Sequence, residues 1–348
     1  MTSEIVIIGA GITGLYTAFS LVHDAKVEPS KITIVAEYFP GDWSKGFTSP
    51  WAGGNFSCIS ASDPLSLEND KITYTNLPRI REILGGEEKS SIAERPAIDV
   101  FEFPLAQSKI DSLKTYVKNF RVTPQDELPK VASAKAGLTY TTYSFYVPKY
   151  LTTMYSHLKE LGVVFMKKKL DNINQAWLNQ GVSVVFNCSG LGSKTLGGVE
   201  DTTVYPTRGQ VVIVEAPHVQ VNMCKWNLES ATYIIPRPHS GGQLVLGGFL
   251  QKGVDNGDTF ASETEDIIKR CTELCPAILD HPLKIIREAS GLRPTRNGGA
   301  RIEGQVLEDG KLIVHNYGAG GYGYQSGYGM AVNAVKIYQN HKKLKSKL

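Results

Sequence analysis

The sequence predicts an α/β protein with a Rossmann-like nucleotide-binding domain built from discontinuous segments and a second, α+β domain for the substrate. Three observations lead to this fold class. A short apolar run near the N-terminus ends in a G-x-G-x-x-G motif, and another strand, glycine-rich turn and helix follow near the C-terminus. Between them, strand-like runs separated by turn residues indicate a large, mostly antiparallel sheet.

The N-terminal unit begins with the apolar run 5–8, which is typical of a strand buried on both faces. Gly9 would permit a tight turn, Gly11 would let the backbone approach a pyrophosphate, and Gly14 would allow the helix to pack closely on the sheet. The N-terminus of that helix offers N–H groups and a positive dipole end to phosphates. The motif alone leaves NAD and FAD open. The residues predicted to bind the dinucleotide here are Gly9, Ala10, Gly11, Ile12, Thr13 and Gly14.

The next apolar run, 32–35, predicts a second buried strand, and Glu37 follows it. This acid lies about twenty residues after the glycine motif, where a carboxylate that binds an adenosine ribose is expected. An irregular loop then extends over 38–55, and long loops without secondary structure are usually functional. We expect it to wrap the cofactor with backbone N–H groups and hydroxyls, through Tyr38, Ser44, Ala52, Gly53, Gly54 and Asn55.

The region 60–145 alternates polar helical stretches with turns and ends in a strand rich in Thr and Tyr at 138–145, which we interpret as part of the second domain. A helix at 148–161 then leads into a buried run at 162–166, and another buried strand follows at 182–188. Open α/β sheets bind ligands beyond the carboxyl ends of their strands. The residues placed there, which we expect to contact the cofactor, are Leu170, Ser189 and Gly190.

The region 206–248 reads mostly as β-strands, and the polar connection Asn222–Thr232 within it could serve as a lid. A helix over 263–279 follows, and the chain then returns through the run 285–294.

Near the C-terminus, a buried strand at 312–316 is followed by a glycine-rich turn at 317–323 and a helix at 324–342, an arrangement common in flavoproteins. His315 closes the buried strand and is interpreted as structural. The turn is expected to contact the cofactor through Gly320, Gly321, Tyr322, Gly323, Tyr324 and Gln325. The predicted domains are 1–58, 147–192 and 287–348 for the cofactor, and 59–146 and 193–286 for the substrate and the interface.

The composition is that of an ordinary globular protein, with 42% hydrophobic and 20% charged residues. A net charge of +3 does not suggest a nucleic-acid or membrane partner. No run approaches the roughly 18 apolar residues of a membrane span, and a strand that begins at Ile5 leaves no room for a signal peptide. The five cysteines are expected to be reduced and mostly buried, and no metal site is expected.

The last three residues, Ser346-Lys347-Leu348, match a peroxisomal address that an import receptor reads. They follow a basic stretch that we expect to be exposed. The sequence therefore predicts a protein of the peroxisomal matrix.

Several motifs together resemble the D-amino-acid oxidases, and most closely their fungal members. The glycine-rich run 314–323 followed by Gly329 and Ala331 matches that family's signature over its whole length. The resemblance extends over essentially the full chain through shorter matches at 48–53, 187–190, 206–210, 233–236 and 291–294. It implies noncovalent FAD and oxidation of a D-amino acid to an imino acid, which hydrolyses to a 2-oxo acid and ammonia. Oxygen would reoxidise the flavin and give hydrogen peroxide.

The resemblance also implies roles for four residues. Arg293 matches the arginine that binds the substrate carboxylate, for which a planar guanidinium is well suited. Tyr233 matches a tyrosine whose hydroxyl reaches the same carboxylate. Gly321 matches the residue whose carbonyl accepts the substrate ammonium, and Gln325 matches a glutamine near the substrate. In this family the chemistry is hydride transfer from Cα, so no general base is expected.

Alternatives concern the substrate. Animal D-aspartate oxidases carry an arginine where this chain has Leu250, which favours neutral side chains here. Arg237 and Lys225 are cations that could overturn this preference. D-aspartate oxidase, a glycine or sarcosine oxidase, and a noncatalytic scaffold therefore stay as alternatives. A homodimer is the candidate assembly.

Overall fold

A computed structural model describes residues 3–128, 134–227 and 230–345. The predicted targeting tripeptide lies outside these residues. In the described residues the strands are β1 (Ile5–Ile8), β2 (Ile32–Ala36), β3 (Ile92–Phe101), β4 (Arg121–Val122), β5 (Ala136–Phe145), β6 (Val164–Lys167), β7 (Val184–Asn187), β8 (Val204–Glu215), β9 (Asn222–Trp226), β10 (Ala231–Pro236), β11 (Gln243–Gly247), β12 (Gln251–Lys252), β13 (Lys284–Arg296), β14 (Arg301–Val306) and β15 (Leu312–Tyr317). The α-helices are α1 (Ile12–His23), α2 (Pro64–Ile83), α3 (Gly86–Ser90), α4 (Gln107–Lys114), α5 (Val147–Glu160), α6 (Ala261–Leu274) and α7 (Gly327–Lys345).

The chain divides into two compact units, which alternate along the sequence. Unit 1 comprises Met1–Pro50, Leu151–Pro206 and Arg293–Leu348, and unit 2 comprises Trp51–Tyr150 and Thr207–Leu292. The four crossings lie 8, 4, 14 and 6 residues from the predicted domain boundaries.

At the first crossing, the difference between the observed and the predicted boundary moves four predicted site residues to the other unit. Residues Ala52–Asn55 were predicted in the cofactor domain but belong to unit 2. The reason is local backbone pairing, because Phe145 N donates to Gly54 O at 2.8 Å and Phe56 N donates to Tyr143 O at 2.9 Å. This segment therefore adds to the edge of β5.

Unit 1 is built on a six-stranded sheet in the order β14-β15-β7-β1-β2-β6. Strands β1, β2, β6, β7 and β15 are parallel, and β14 runs antiparallel to β15 at one edge. The central strands are fully buried, as the continuous apolar runs predict. In the register, Ile8 lies beside Val35 and Asn187, and Asn187 lies beside His315, so the carboxyl ends of four strands meet at one edge.

The two edge strands of this sheet were not predicted correctly. The run 162–166 was predicted to be buried, but β6 is an edge strand and Met166 is 37% exposed, because β6 has only β2 as a neighbour. The other edge strand, β14, was missed because polar residues dominate it.

Unit 2 contains a nine-stranded sheet in the order β12-β8-β11-β10-β9-β3-β5-β4, with β13 also paired to β8. It is mostly antiparallel, as predicted, although β3 and β9 are parallel. The sequence reading missed β3. The polar connection Asn222–Thr232 was also wrong as a lid, because β9 within it pairs with both β10 and β3.

Alternation along β10 separates the two faces of this sheet. Ile234 points to a core shared with Val212, Leu246 and the apolar side of α6. Tyr233 and Ile235 belong to the cluster on the other face. The sheet therefore carries α6 behind it and Tyr233 in front.

The helix ends also differ from prediction for identifiable reasons. Helix α6 stops at Leu274, because Pro276 starts a separate 3₁₀ turn over Pro276–Leu279. Helix α7 begins at Gly327 instead of 324, after a 3₁₀ turn at Gly320–Tyr322.

All five cysteines are free thiols, and all but Cys275 are buried. In the described part of the chain, no helix is long and apolar enough to cross a membrane. Within the same residues, no cluster of three His, Cys, Asp or Glu side chains could hold a metal ion.

Candidate active site

The turn between β1 and α1 is closed so tightly that only glycine fits at two positions. Gly9 has φ +99°, and a Cβ there would lie 2.5 Å from Cys188 O. A Cβ on Gly14 would lie 2.0 Å from Gly9 O. Both contacts are with backbone, which cannot swing aside. The first turn of α1 is therefore pressed against the ends of β1 and β7.

The N-terminus of α1 has the features of an anion site. Gly11, at the N-cap, has no side chain to occupy the first N–H groups, and the first turn carries no acidic residue. Ile12 N donates to Ser49 Oγ at 3.0 Å, which ties the following loop to the helix end. These observations fit a pyrophosphate bound by backbone N–H groups and the helix dipole.

Several other predicted cofactor residues lie beyond the carboxyl ends of the parallel strands of unit 1. Glu37 follows β2 and lies 3.9 Å from Lys169 Nζ in an exposed ion pair. Tyr38 stacks on Phe47 with ring centroids 6.2 Å apart. Ser44 Oγ accepts a hydrogen bond from Gly46 N. The remaining members of this edge, after β6, β7 and β15, are Leu170, Ser189, Gly190, Gly320, Gly321, Tyr322 and Gly323.

A hydrogen-bonded chain fixes the turn after β7. Ser189 N and Oγ donate to Asn187 Oδ1 at 3.2 and 2.7 Å, and Asn187 Nδ2 lies 3.2 Å from His315 Nδ1. Burial, followed by the charge of Arg301, lowers the pKa of His315 to about 4. The imidazole is therefore neutral at pH 7, and its Nδ1 accepts from Asn187. This arrangement agrees with the structural role predicted for His315.

A second network fixes the start of the C-terminal glycine turn. Asp201 Oδ2 accepts hydrogen bonds from Arg296 Nε and Tyr317 Oη, both at 2.8 Å. Burial alone would raise the pKa of the Asp201 carboxyl, but hydrogen bonds from Thr203, Arg296 and Tyr317 hold it well below its usual range. A Cβ on Gly318 would lie 2.9 Å from Arg296 Cβ, so the turn leaves β15 directly against this network.

Unit 1 also brings together two of the predicted substrate-binding residues. The place of a Cβ on Gly321 is 3.4 Å from Arg293 Cδ and 3.7 Å from Arg293 Nε. An isolated bridge between Thr295 and Ala319 holds the two segments side by side. The guanidinium stem of Arg293 therefore lies over the glycine turn. Gln325 is 2% exposed just beyond it, and Tyr324 Oη donates to Ser49 O at 3.0 Å.

In unit 2, Tyr233 lies with part of the predicted cofactor loop. A Cβ on Gly53 would lie 2.7 Å from Ile235 Cδ1 and 3.8 Å from Tyr233 Cε2. Ala52 O accepts from Arg237 Nη2 at 3.3 Å. Tyr233 is 8% exposed, and its ring covers the Gly247–Gly248 backbone.

The cations that could bind a second carboxylate are already engaged in unit 2. Lys225 Nζ lies 2.8 Å from Glu102 Oε1. Arg237 donates to Gln243 Oε1 at 3.3 Å as well as to Ala52 O, and it lies over the Tyr146 ring. Leu250 is 37% exposed.

One cation beside Phe249 was not predicted from the sequence. The Arg270 guanidinium lies 5.3 Å from the centre of the Phe249 ring. The available signal was the i,i+4 pair of Arg270 with Asp266 on α6.

Known proteins of similar sequence and structure cover nearly the whole chain. The family model described as FAD dependent oxidoreductase matches residues 4–336. D-amino-acid oxidase of Schizosaccharomyces pombe is 42% identical over 340 residues, which are 96% of this chain and 95% of that protein. D-aspartate oxidase of Talaromyces thermophilus is 27% identical, over 97% of this chain and 95% of that protein. The crystal structure of glycine oxidase from Geobacillus kaustophilus shares the fold, with a TM-score of 0.71 at 19% identity over 97% of this chain and 94% of that chain.

Proposed function

The chain belongs to the FAD-dependent oxidoreductase family, and on this premise we propose that it oxidises neutral D-amino acids to 2-oxo acids, releasing ammonia and hydrogen peroxide. The relative named D-amino-acid oxidase in S. pombe, at 42% identity, supports this activity over that of the 27% identical D-aspartate oxidase.

The observation that carries the proposal is the position of Arg293 over Gly321 in unit 1. A guanidinium can bind the substrate carboxylate through two parallel N–H···O bonds. The Gly321 carbonyl, beside it, is proposed to accept a hydrogen bond from the substrate amino group. Two fixed groups a few ångströms apart would orient Cα of an amino acid. Tyr233 is proposed, from the family resemblance, as a further donor to the carboxylate.

The cofactor is FAD, and we propose that it is bound noncovalently. The chemistry FAD supplies when bound is acceptance of the hydride from Cα and delivery of two electrons to oxygen, which forms hydrogen peroxide. The glycine turn and the N-terminus of α1, where Ser49 Oγ accepts from Ile12 N, would hold the dinucleotide. The matched motifs contain Cys188 and His315, but Cys188 is buried and His315 is hydrogen-bonded to Asn187, so neither is assigned as an attachment point.

The side-chain preference follows from unit 2. Leu250 and Phe249 offer apolar surface, which gains roughly 0.8 kcal/mol for each methylene buried. A second carboxylate would lose its hydration here, where Lys225 is already paired with Glu102 and Arg237 already donates to Gln243 and Ala52. Neutral substrates are therefore favoured.

This preference predicts the order of substrates in a peroxide-coupled assay. We expect kcat/KM to be higher for D-alanine and D-methionine than for D-aspartate, and L-isomers to be inert. Leu250→Arg should raise kcat/KM for D-aspartate relative to D-alanine, while Leu250→Met serves as a control of similar volume. If D-aspartate is the best substrate of the wild type, the proposed pocket is wrong and Arg237 becomes the candidate for the second carboxylate.

We also propose that the protein resides in the peroxisomal matrix, on the basis of Ser346-Lys347-Leu348. Deletion of these three residues should move a fluorescently tagged protein from punctate organelles to the cytosol without changing activity in extracts. Lys347→Arg, which keeps the basic side chain, is the matched control. Punctate fluorescence of the truncated protein would contradict the targeting role. The homodimer stays a prediction that light scattering of the purified protein would check.

A further inference from the structure

We propose that Arg270 is a positioning residue that holds Tyr233 and the Gly248–Leu250 segment in place, and that it is not a cation for the substrate. This inference rests on the proposed function, in which Tyr233 contacts the substrate carboxylate. The Arg270 guanidinium lies 5.3 Å from the centre of the Phe249 ring, so its role bears on how unit 2 treats an acidic substrate.

The hydrogen bonds of Arg270 account for all five of its N–H donors. Nε donates to Asp266 Oδ2 at 2.8 Å, and Nη2 lies 2.7 Å from the same oxygen. Nη1 donates to Ala231 O at 2.9 Å and to Thr232 Oγ1 at 2.8 Å, while Nη2 also reaches Gly248 O at 3.3 Å. A guanidinium has five donors and no acceptor. Its positive charge is paired with Asp266, so neither an unused N–H donor nor an unpaired charge is left for a substrate carboxylate.

The acceptors lie on the two backbone segments that frame Tyr233. Ala231 and Thr232 precede it on β10, and Gly248 follows β11, which pairs with β10 so that Tyr233 faces Gly247. Ala231 O also accepts from Gly248 N at 3.0 Å. Arg270 therefore joins the start of one strand to the exit of its neighbour through a shared carbonyl.

The hydroxyl of Tyr233 depends on this junction. The place of a Cβ on Gly247 is 2.2 Å from Tyr233 Cζ and 2.6 Å from its Oη, and that on Gly248 is 2.6 Å from both atoms. The phenol thus lies flat on the two glycines, and a shift of their backbone would move its hydroxyl. Gly248 is one of the two glycines under the ring, and its carbonyl also accepts a hydrogen bond from Arg270.

Helix α6 gives Arg270 a rigid base. Ile267, Cys271 and Leu274 bury the apolar side of the helix in the core behind the sheet. Next to Arg270, the Cys271 thiol lies 3.7 Å from Tyr233 O and 3.5 Å from Gly247 O. Two successive residues of α6 therefore bond the backbone on both strands at Tyr233. The guanidinium over Phe249 also contacts the middle residue of the Gly248–Leu250 segment.

The expected effect is on binding more than on chemistry. A displaced Tyr233 hydroxyl weakens a contact made equally in the ground state and the transition state, which raises KM and leaves kcat nearly unchanged. Lysine keeps the charge, but its three donors on one nitrogen cannot replace five donors spread over the planar guanidinium. For Arg270→Lys we expect a rise in KM for D-alanine of roughly 3- to 30-fold, with kcat changed less than about twofold.

The test compares Arg270→Lys and Arg270→Gln with Lys269→Gln, which removes a charge from the exposed neighbour on the same helix. Propionate has the carboxylate and methyl of D-alanine but no amino group. Its Kd is measured from the change in the flavin absorption spectrum on titration. It should rise for both Arg270 variants and stay constant for Lys269→Gln. FAD content and melting temperature identify any variant that fails to fold.

A double-mutant cycle with Tyr233→Phe makes the test specific. If Arg270 acts through the Tyr233 hydroxyl, Arg270→Lys should have little further effect on KM in the Tyr233→Phe background. Additive effects would overturn the inference, as would a selective loss of D-aspartate turnover in Arg270→Gln. Failure of the wild type to oxidise any D-amino acid would instead reject the proposed function, and propionate binding would still report on Arg270.

Discussion

Arg293→Ala is expected to abolish most of the catalytic efficiency for D-alanine while leaving FAD bound. Loss of one partner from a buried, hydrogen-bonded charge pair costs about 2–5 kcal/mol, which corresponds to roughly 30- to 5,000-fold in kcat/KM. The reason is that the carboxylate would lose its fork-shaped donor beside Gly321. Steady-state kinetics with peroxide detection, together with the flavin absorbance of the purified variant, measure both parts of the prediction.

Two further variants sharpen this experiment. Arg293→Lys keeps the charge without the planar pair of donors, so it should recover only part of the lost efficiency. Arg287→Ala removes an exposed arginine of the same strand β13, whose guanidinium lies over Trp51, and should leave KM for D-alanine nearly unchanged. Near-normal Michaelis behaviour of Arg293→Ala would show that another residue anchors the carboxylate.

Gly14→Ala should remove FAD binding. The added methyl would lie 2.0 Å from Gly9 O and 3.0 Å from Gly9 C, so the helix must move away from the turn. Gly9 has little room to yield, because even a Cβ placed on it would lie 2.5 Å from Cys188 O. Overpacking costs about 1–3 kcal/mol even where side chains can adjust, and here the obstacle is backbone. We expect the Kd for FAD, measured by quenching of flavin fluorescence, to rise at least about 100-fold.

Gly192→Ala is the matched control, since its methyl would meet only the Ser189 side chain, at an ordinary 3.5 Å from Cβ and 3.9 Å from Oγ. It should bind FAD normally. Ligand stabilisation gives a second readout, because added FAD should raise the melting temperature of the control and not that of Gly14→Ala. Acid precipitation of the control should leave its flavin in the supernatant, as a noncovalent cofactor requires. A yellow Gly14→Ala protein with unchanged affinity would contradict the assigned role of the turn.

The parts of the fold that periodicity identified were those with continuous apolar runs. Ile5–Ile8 and Leu312–Tyr317 are buried on both faces, so nearly every residue of each strand is apolar or otherwise compatible with burial, and the run itself indicates a central strand. Edge strands carry no such mark. β14, with Arg301, Glu303 and Gln305 alternating, reads as a polar loop until its pairing with β15 is seen.

The candidate site divides in the same way. The glycine turns could be identified because a side chain does not fit at these positions; a Cβ on Gly9, for example, would lie 2.5 Å from Cys188 O. Arg270 could not be, because its acceptors Ala231 O and Gly248 O are backbone atoms distant in sequence. The lid at Asn222–Thr232 was wrong for a related reason. Strand pairing to β3, which the local sequence does not report, decides its structure.

The alternation of the two units along the chain has a consequence for how the protein is made. Ser183 Oγ lies 3.5 Å from Glu4 O across 179 positions of sequence, and Asn316 Nδ2 donates to Thr17 Oγ1 across 299. Closing such distant contacts is entropically costly, and folding slows as the mean separation of contacting residues grows. The unit 1 sheet cannot be completed until β15 has been synthesised, so β7 lacks its partner on that side until late in synthesis. Until then the unpaired edge of β7 is the kind of surface that makes incompletely folded chains prone to aggregation.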